Sequence, residues 1–305
     1  MSFSKRCKKE ISIKELKFEF LDAELFSYVK LSASLKIIGG EFNISFDADY
    51  NHQARRIYNI IKTKYDYSPT IQVNESNKFG KNKYYRVIVE DCEIVNDIIK
   101  NTGFLENNTS NEILKQLEND EYKKIFLKNA FLLYGSINDP RRGYYVEIGI
   151  YNEVISKVLL ELMLYFDLNP KIMTRNKLYI VYLKDSDKIS DFLSIISAYK
   201  SLLELEDVRA MKSLRNDINR KTNCDKANID RIVNASLKQI NAIKKLKELN
   251  LYESLKDDEK EICELRLSNP SMSLEELSKN LDSKMTKAKI NYRLQKIIRL
   301  ANNSN

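Results

Sequence analysis

Between residues 255 and 301 apolar side chains recur at helical spacing in three short blocks. The first, over 257–267, has Leu255, Ile262, Cys263 and Leu265 as its apolar members. It stops at Asn269-Pro270, because a residue before proline is pushed out of the helical region. The second opens on Ser273-Leu274-Glu275-Glu276, a capping box in sequence form, and aligns Leu274, Leu277 and Leu281. The third follows a Thr286 cap and carries Ile290, Leu294, Ile297, Ile298 and Ala301 at i, i+4, i+7, i+8 and i+11. Three such helices predict a helix-turn-helix whose last member, 287–299, is the recognition helix.

Residues 1–200 carry one pattern twice. The first copy predicts a helix over 14–31, a strand over 35–38, a hairpin turn at Gly39-Gly40 and a strand over 41–46. A helix over 51–65, strands over 70–73 and 84–89 and a helix over 93–100 follow. The second predicts a helix over 111–133, a strand at 136–137, a turn over 138–143 and a strand over 144–150. A helix over 152–166, strands over 171–174 and 178–183 and a helix over 189–197 complete it. Ser34 answers Ser136, Asn51 answers Asn152 and Pro69 answers Pro170, an offset of 101 or 102 that marks a duplication. The last strand slips to 94, Tyr85 answering Tyr179, because the first copy has the longer hairpin loop, 74–83. The expected fold class is α+β: two tandem αββαββα units about a pseudo-two-fold axis, then an all-α helix-turn-helix. The expected boundaries are 1–105, 106–200, a basic helical connector over 201–250 and the helix-turn-helix over 251–305.

Composition changes this picture in one respect. The chain has 305 residues, 43% hydrophobic and 31% charged, with a net charge of +8. The excess is local: residues 209–248 hold 11 Lys/Arg against 4 acids and residues 281–305 hold six against one, whereas residues 1–200 hold 30 against 27. Such localisation points to a polyanion at the carboxy-terminal end. The four cysteines, Cys7, Cys92, Cys224 and Cys263, lie far apart, which suggests neither a zinc site nor a redox motif and fits a reduced cytosol. No metal and no cofactor is expected. One histidine, His52, excludes a multi-histidine metal site, and it is read as a surface residue at a helix start. No run reaches membrane-spanning length and the start lacks a signal-peptide core, so a cytoplasmic, nucleoid-associated protein without membrane contact is expected.

A recognition helix presents donors from its first turns while its far side packs on a scaffold. Lys287, Lys289 and Asn291 lie in those turns. Lys287 is assigned to guanine acceptors and Asn291 to adenine, with Lys284, Thr286 and Arg293 on phosphates and Tyr292 and Lys296 on the same basic surface. The rival readings are a sequence-specific nuclease and a protein-interaction adaptor with a basic tail. RNA binding is less favoured, because no aromatic-bearing sheet signature is present.

The order of elements in residues 1–200 resembles the LAGLIDADG homing endonuclease fold. In that family each copy's first helix ends in an acid just before Gly-Ser, and the paired carboxylates hold divalent metal. The matching segments are Phe26-Ser27-Tyr28-Val29-Lys30-Leu31-Ser32-Ala33-Ser34 and Leu127-Lys128-Asn129-Ala130-Phe131-Leu132-Leu133-Tyr134-Gly135-Ser136. The acid positions fall on Ser32 and Tyr134. Neither side chain can replace a carboxylate in two-metal hydrolysis. Asp22 and Glu24 lie upstream in copy one and have no counterpart in copy two. The resemblance therefore implies a nuclease fold without nuclease chemistry, retained to bind DNA or a protein.

A second resemblance covers the whole chain. Met1-Ser2-Phe3-Ser4, Gly135-Ser136-Ile137-Asn138-Asp139-Pro140, Asp191-Phe192-Leu193-Ser194-Ile195-Ile196-Ser197-Ala198 and Leu203-Glu204-Leu205-Glu206-Asp207-Val208-Arg209 carry it. Arg215-Asn216-Asp217-Ile218-Asn219-Arg220 is the strongest segment, followed by Asn223-Cys224, Ala227-Asn228 and Asn234-Ala235. These are similar to the WhiA family of bacterial sporulation and cell-division regulators. That family fuses a degenerate LAGLIDADG pair to a helix-turn-helix. Its third carboxy-terminal helix tends to read Ser-Lys-Ser-Gly-Val-Asn-His-Arg. Here Thr286-Lys287-Ala288-Lys289-Ile290-Asn291-Tyr292-Arg293 keeps Lys287, Asn291 and Arg293, while Lys289 stands for a glycine and Tyr292 for a histidine. The resemblance implies a transcription factor on promoter DNA; the internal duplication already supplies a pseudo-dyad, so a monomer is expected. In the connector Arg215, Arg220, Lys221 and Arg231 are expected to contact phosphates, and Asn216, Asn219, Asn223, Asn228 and Asn234 to cap and turn the chain.

Overall fold

A computed structural model describes residues 1–38, 40–76, 82–106, 108–282 and 284–303. By internal contacts the chain divides into two units, Met1–Met211 and Lys212–Asn305.

In the first unit, helices α1 (Phe3–Ser12) and α2 (Leu21–Ser32) precede strands β1 (Ala33–Ile38) and β2 (Glu41–Ala48). Helix α3 (Asn51–Tyr65), strands β3 (Thr70–Ser76) and β4 (Asn82–Val89) and helix α4 (Cys92–Thr102) complete the first copy. The second copy runs through α5 (Ser110–Gln116), α6 (Asp120–Tyr134), β5 (Gly135–Ile137), β6 (Val146–Ile150), α7 (Glu153–Tyr165), β7 (Lys171–Arg175), β8 (Leu178–Leu183) and α8 (Ser186–Ile195). Each copy forms an antiparallel four-stranded sheet with the same order, β1-β2-β4-β3 and β5-β6-β8-β7. The register repeats as well. Ser34 faces Ser45 where Ser136 faces Glu147, and Ile44 faces Val89 where Val146 faces Leu183. The offsets, 102 for β1 and β2 and 94 for β4, are those of the sequence repeat.

One hydrophobic core runs through both copies, from Phe3, Cys7 and Ile11 of α1 to Ile189, Phe192 and Leu205. At its polar centre sits Glu24 of α2, 4% exposed. Arg56 Nη2 and Lys128 Nζ each donate to Glu24 Oε1 at 2.5 Å, and Asn129 Nδ2 donates to Oε2 at 2.8 Å. Burial alone would raise the Glu24 pKa, but Lys128 and Arg56 outweigh it and hold the group below the ordinary carboxylate value. Asp22 pairs with Lys64.

Three expectations need correction. The helix expected over 14–31 begins earlier and is broken. Ser2 accepts from the Lys5 N–H and caps α1, whose Phe3, Cys7 and Ile11 are buried at four-residue spacing, and a 3₁₀ turn at Phe18–Phe20 leads into α2. The helix expected over 111–133 is two, because Leu117 leaves helical dihedrals and Asn119 caps α6 by accepting from Tyr122 N at 2.9 Å. Finally, α9 (Tyr199–Glu248) is one helix of 50 residues, so its asparagines lie inside a helix instead of capping or turning it. Gly39 of the expected hairpin turn, and residues 77–81 of the longer loop, lie outside the described residues.

The second unit packs the last turns of α9 and a 3₁₀ turn at Tyr252–Ser254 with α10 (Asp257–Ser268), α11 (Leu274–Asn280) and α12 (Lys287–Asn303). Its core joins Ile243 and Leu246 to Ile262, Cys263, Leu277, Leu281 and the inner face of α12. No helix among the described residues is long and apolar enough to cross a membrane.

Candidate nucleic-acid interface

The carboxy-terminal trihelix is built from local signals that agree with its packing. Ser273 and Glu276 form the capping box of α11, with Glu276 N to Ser273 Oγ at 3.2 Å and Ser273 N to Glu276 Oε2 at 2.7 Å. The turn between α10 and α11 hangs on Arg266, only 2% exposed, whose Nη1 donates to the Met272 carbonyl at 2.6 Å. Ser236 of α9 donates to the Pro270 carbonyl at 2.5 Å. The turn into α12 is fixed by Ser278 Oγ, which donates to the Met285 carbonyl, and by buried Met285. Lys284 takes a left-handed φ of 41° beside it. Thr286 then accepts from Lys289 N at 3.4 Å.

On α12 the inward residues are Ile290, Leu294, Ile297 and Ala301. The complementary outward row is Ala288, Tyr292, Gln295 and Arg299, with Lys287, Lys289 and Asn291 exposed beside it. Tyr292, 67% exposed, stands near the middle of this row. The basic side chains divide into two sets. Lys284, Lys287, Lys289 and Arg299 are exposed and form no ion pair among the described residues. Arg293 and Lys296 turn back onto α10. Arg293 donates to Glu259 Oε1 at 2.8 Å and to Asp258 Oδ2 at 2.6 Å, and Lys296 to Glu259 Oε1 at 2.9 Å. Glu259 is 1% exposed. Burial opposes its charge, but the Lys296 and Arg293 contacts and the Lys256 backbone N–H lower its pKa. Arg293, expected on phosphates, and Lys296 thus pair within the chain and clamp α12 onto α10.

The connector positions lie on exposed turns of α9 but not on one face. At 100° per residue Arg220 and Arg231 fall within about 20° of each other, in line with Lys238, while Arg215 and Lys221 diverge by about 120°. Arg220 lies 3.7 Å from Asp217 and Arg231 donates to Asn228 Oδ1 at 3.1 Å. Gln295 and Lys238 escaped the sequence reading, and Arg299 entered it only as one of the six cations over 281–305. Their signal was the complement of the apolar stripe rather than a motif.

In the first unit, Ser32 and Tyr134 end the two central helices, α2 and α6. Ser32 Oγ donates to the Tyr28 carbonyl at 3.1 Å, and Tyr134 OH crosses between copies to the Leu31 carbonyl at 2.8 Å. Burial, then Asp49 and Asp47, keep the phenol's pKa above its usual value, so it stays a donor. Among the described residues no three His, Cys, Asp or Glu side chains group as a metal site.

Comparison with known proteins follows this division of the chain. The WhiA N-terminal LAGLIDADG-like domain matches residues 21–105, the WhiA LAGLIDADG-like domain residues 123–215 and the WhiA C-terminal HTH domain residues 218–301. A "Probable cell division protein WhiA" of Clostridium novyi (strain NT) is 35% identical over 309 residues, spanning 99% of this chain and 98% of that protein. The chain belongs to the WhiA family. The WhiA protein of Clostridium beijerinckii is likewise 35% identical over 99% of the chain and 98% of its own length. The crystal structure of full-length DUF199/WhiA from Thermotoga maritima covers 99% of both chains at 24% identity, with a TM-score of 0.61. That likeness establishes the WhiA fold: paired LAGLIDADG-like sheets followed by a helix-turn-helix. The WhiA relatives carry the name of cell division proteins, not of enzymes.

Proposed function

We propose that this chain is a sequence-specific DNA-binding transcription regulator of division, sporulation or growth genes, acting at promoters in the nucleoid. The observation that carries the reading is the outward face of α12, where exposed Lys287, Asn291 and Tyr292 surround a row backed by a buried apolar stripe. In a major groove Lys287 donates to guanine O6 and N7, Asn291 pairs with adenine, and Tyr292 offers its ring to a thymine methyl. Lys284, Thr286 and Lys289 hold phosphates at the entry of the helix. Arg220 and Arg231 of α9 extend that contact, and Arg215 and Lys221 are peripheral to it. The LAGLIDADG-like unit is a platform without strand cleavage, able to dock a protein, and its internal pseudo-dyad makes a monomer sufficient. The 201–250 connector and the 251–305 helix-turn-helix then act as one DNA-binding module.

Gel shifts and fluorescence anisotropy with promoter fragments test this. Asn291→Ala should cost about 1–3 kcal/mol at one base position and leave scrambled DNA unaffected. Equal losses on cognate and scrambled duplexes would reject the assignment. Supercoiled plasmid with Mg²⁺ and the intact protein tests the rival enzyme reading; nicking lost in Asp22→Asn or Glu24→Gln would establish it.

A further inference from the structure

A cleft of about 650 Å³ opens in the first unit between the end of α1, the segment after it and one face of α3. Its charged lining is Lys9, Lys14, Arg55 and Arg56 against Glu15, with His52 at the start of α3. Arg56 is already neutralised by Glu24. Lys9 and Arg55 form no ion pair among the described residues, and Lys14 only overhangs the Tyr199 ring, at 4.3 Å from its centroid. Three cations thus face one acid in a concave site, a local positive excess that attracts an anion.

His52 reports the same field. Its pKa is depressed by burial and by Lys9 and Lys8. The ring is held in place, stacked on Tyr50 at 5.3 Å, with Nδ1 2.8 Å from Ser12 Oγ. The Ser12 hydroxyl donates to the Lys9 carbonyl at 3.0 Å, so Nδ1–H is the donor to Ser12. Asn51, Asn59 and Thr63 add neutral polar groups along α3. Beside them lies apolar surface: Ile13, 68% exposed, lines this cleft and also a neighbouring one that reaches Tyr199.

We propose that this cleft binds a small phosphorylated molecule of the nucleoside diphosphate class. Its phosphates meet Lys9, Lys14 and Arg55, and its ring covers Ile13 and Tyr199. Duplex DNA is the less suitable anion. Helix α3 packs on the inner side of the first sheet, against β2 and β4, so the cleft faces away from that sheet's outer surface. The volume also lies in the range of small-molecule sites. This site is independent of the α12 reading, and a failure of one leaves the other standing.

The test is isothermal titration of the full chain with pyrophosphate, ADP and adenosine at near-physiological salt. Saturable binding of pyrophosphate and tighter binding of ADP are expected, with no binding of adenosine. Lys9→Ala and Arg55→Ala should each weaken ADP about tenfold or more, the loss of one charge-assisted contact. Both side chains are exposed, so the variants should keep the wild-type melting temperature and duplex-DNA affinity. Absence of saturable binding, affinity unchanged in the double variant, or ADP no tighter than pyrophosphate overturns the proposal. So does a parallel loss of duplex-DNA binding in these variants, which would make the cleft a DNA contact.

Discussion

Glu259 shows how one residue can redirect the meaning of its neighbours. Its carboxylate is buried under Arg293 and Lys296, so two charges counted toward a basic DNA surface also hold α12 against α10. Removing one partner of a desolvated pair leaves the other unmatched. Arg293→Ala is therefore expected to lower the stability of the carboxy-terminal unit by about 1–3 kcal/mol, read as a shift in urea midpoint by circular dichroism. Its effect on DNA affinity should vanish when binding is measured well below the new melting point. A loss of affinity with no change in stability would return Arg293 to the phosphates. On the other unit, Tyr134→Phe removes a hydrogen bond between the copies and should cost about 0.5–1.5 kcal/mol by the same measurement.

At the scale of elements, what was legible in the sequence was what local chemistry writes. The Ser273–Glu276 box, the Thr286 cap and the α12 stripe all stand where their spacing placed them, since cap and stripe point the same way. Helix α3 and strand β8 match residue for residue. The misses are equally physical. Helix α1 carries Phe3, Cys7 and Ile11 at helical spacing, but the period is short and its burial depends on residues far along the chain. Asn119 was overlooked as a cap because the flanking apolar pattern runs past it. Ion pairing was not legible at all: nothing local shows that Arg293 faces Asp258 rather than solvent. The duplicated junction yields a prediction that the repeat itself frames. Gly135 and Ala33 occupy matching positions, yet a Cβ at Gly135 would stand 2.2 Å from Phe131 Cδ2 and 2.7 Å from the Phe131 carbonyl oxygen. Gly135→Ala should destabilise the protein by about 1–3 kcal/mol in thermal melts, although its counterpart already bears that methyl.

For the whole molecule, each unit holds a buried carboxylate whose pKa is lowered: Glu24 in the first, Glu259 in the second. A depressed folded-state pKa contributes stability that is present above the unfolded value, about 4.3, and lost as pH falls through the lower folded value. Melting temperatures should be flat near neutrality and fall below about pH 4 for both units. Glu24→Gln and Glu259→Gln should each flatten the response of one unit only, which differential scanning calorimetry can resolve. The distribution of charge sets a second global expectation. With Arg293 and Lys296 held internally, fewer phosphates are neutralised, and log K against log salt should have a slope of roughly −3 to −5. A steeper value would mean that the sheets also lie along the duplex.

The Tyr134 hydroxyl decides which side chains this junction can accept. A carboxylate there would lack the proton that ties Tyr134 to the Leu31 carbonyl, and it would set a negative charge near Asp47 and Asp49. Tyr134→Glu would thus loosen the seam between the halves twice over, by a lost tether and by repulsion between like charges.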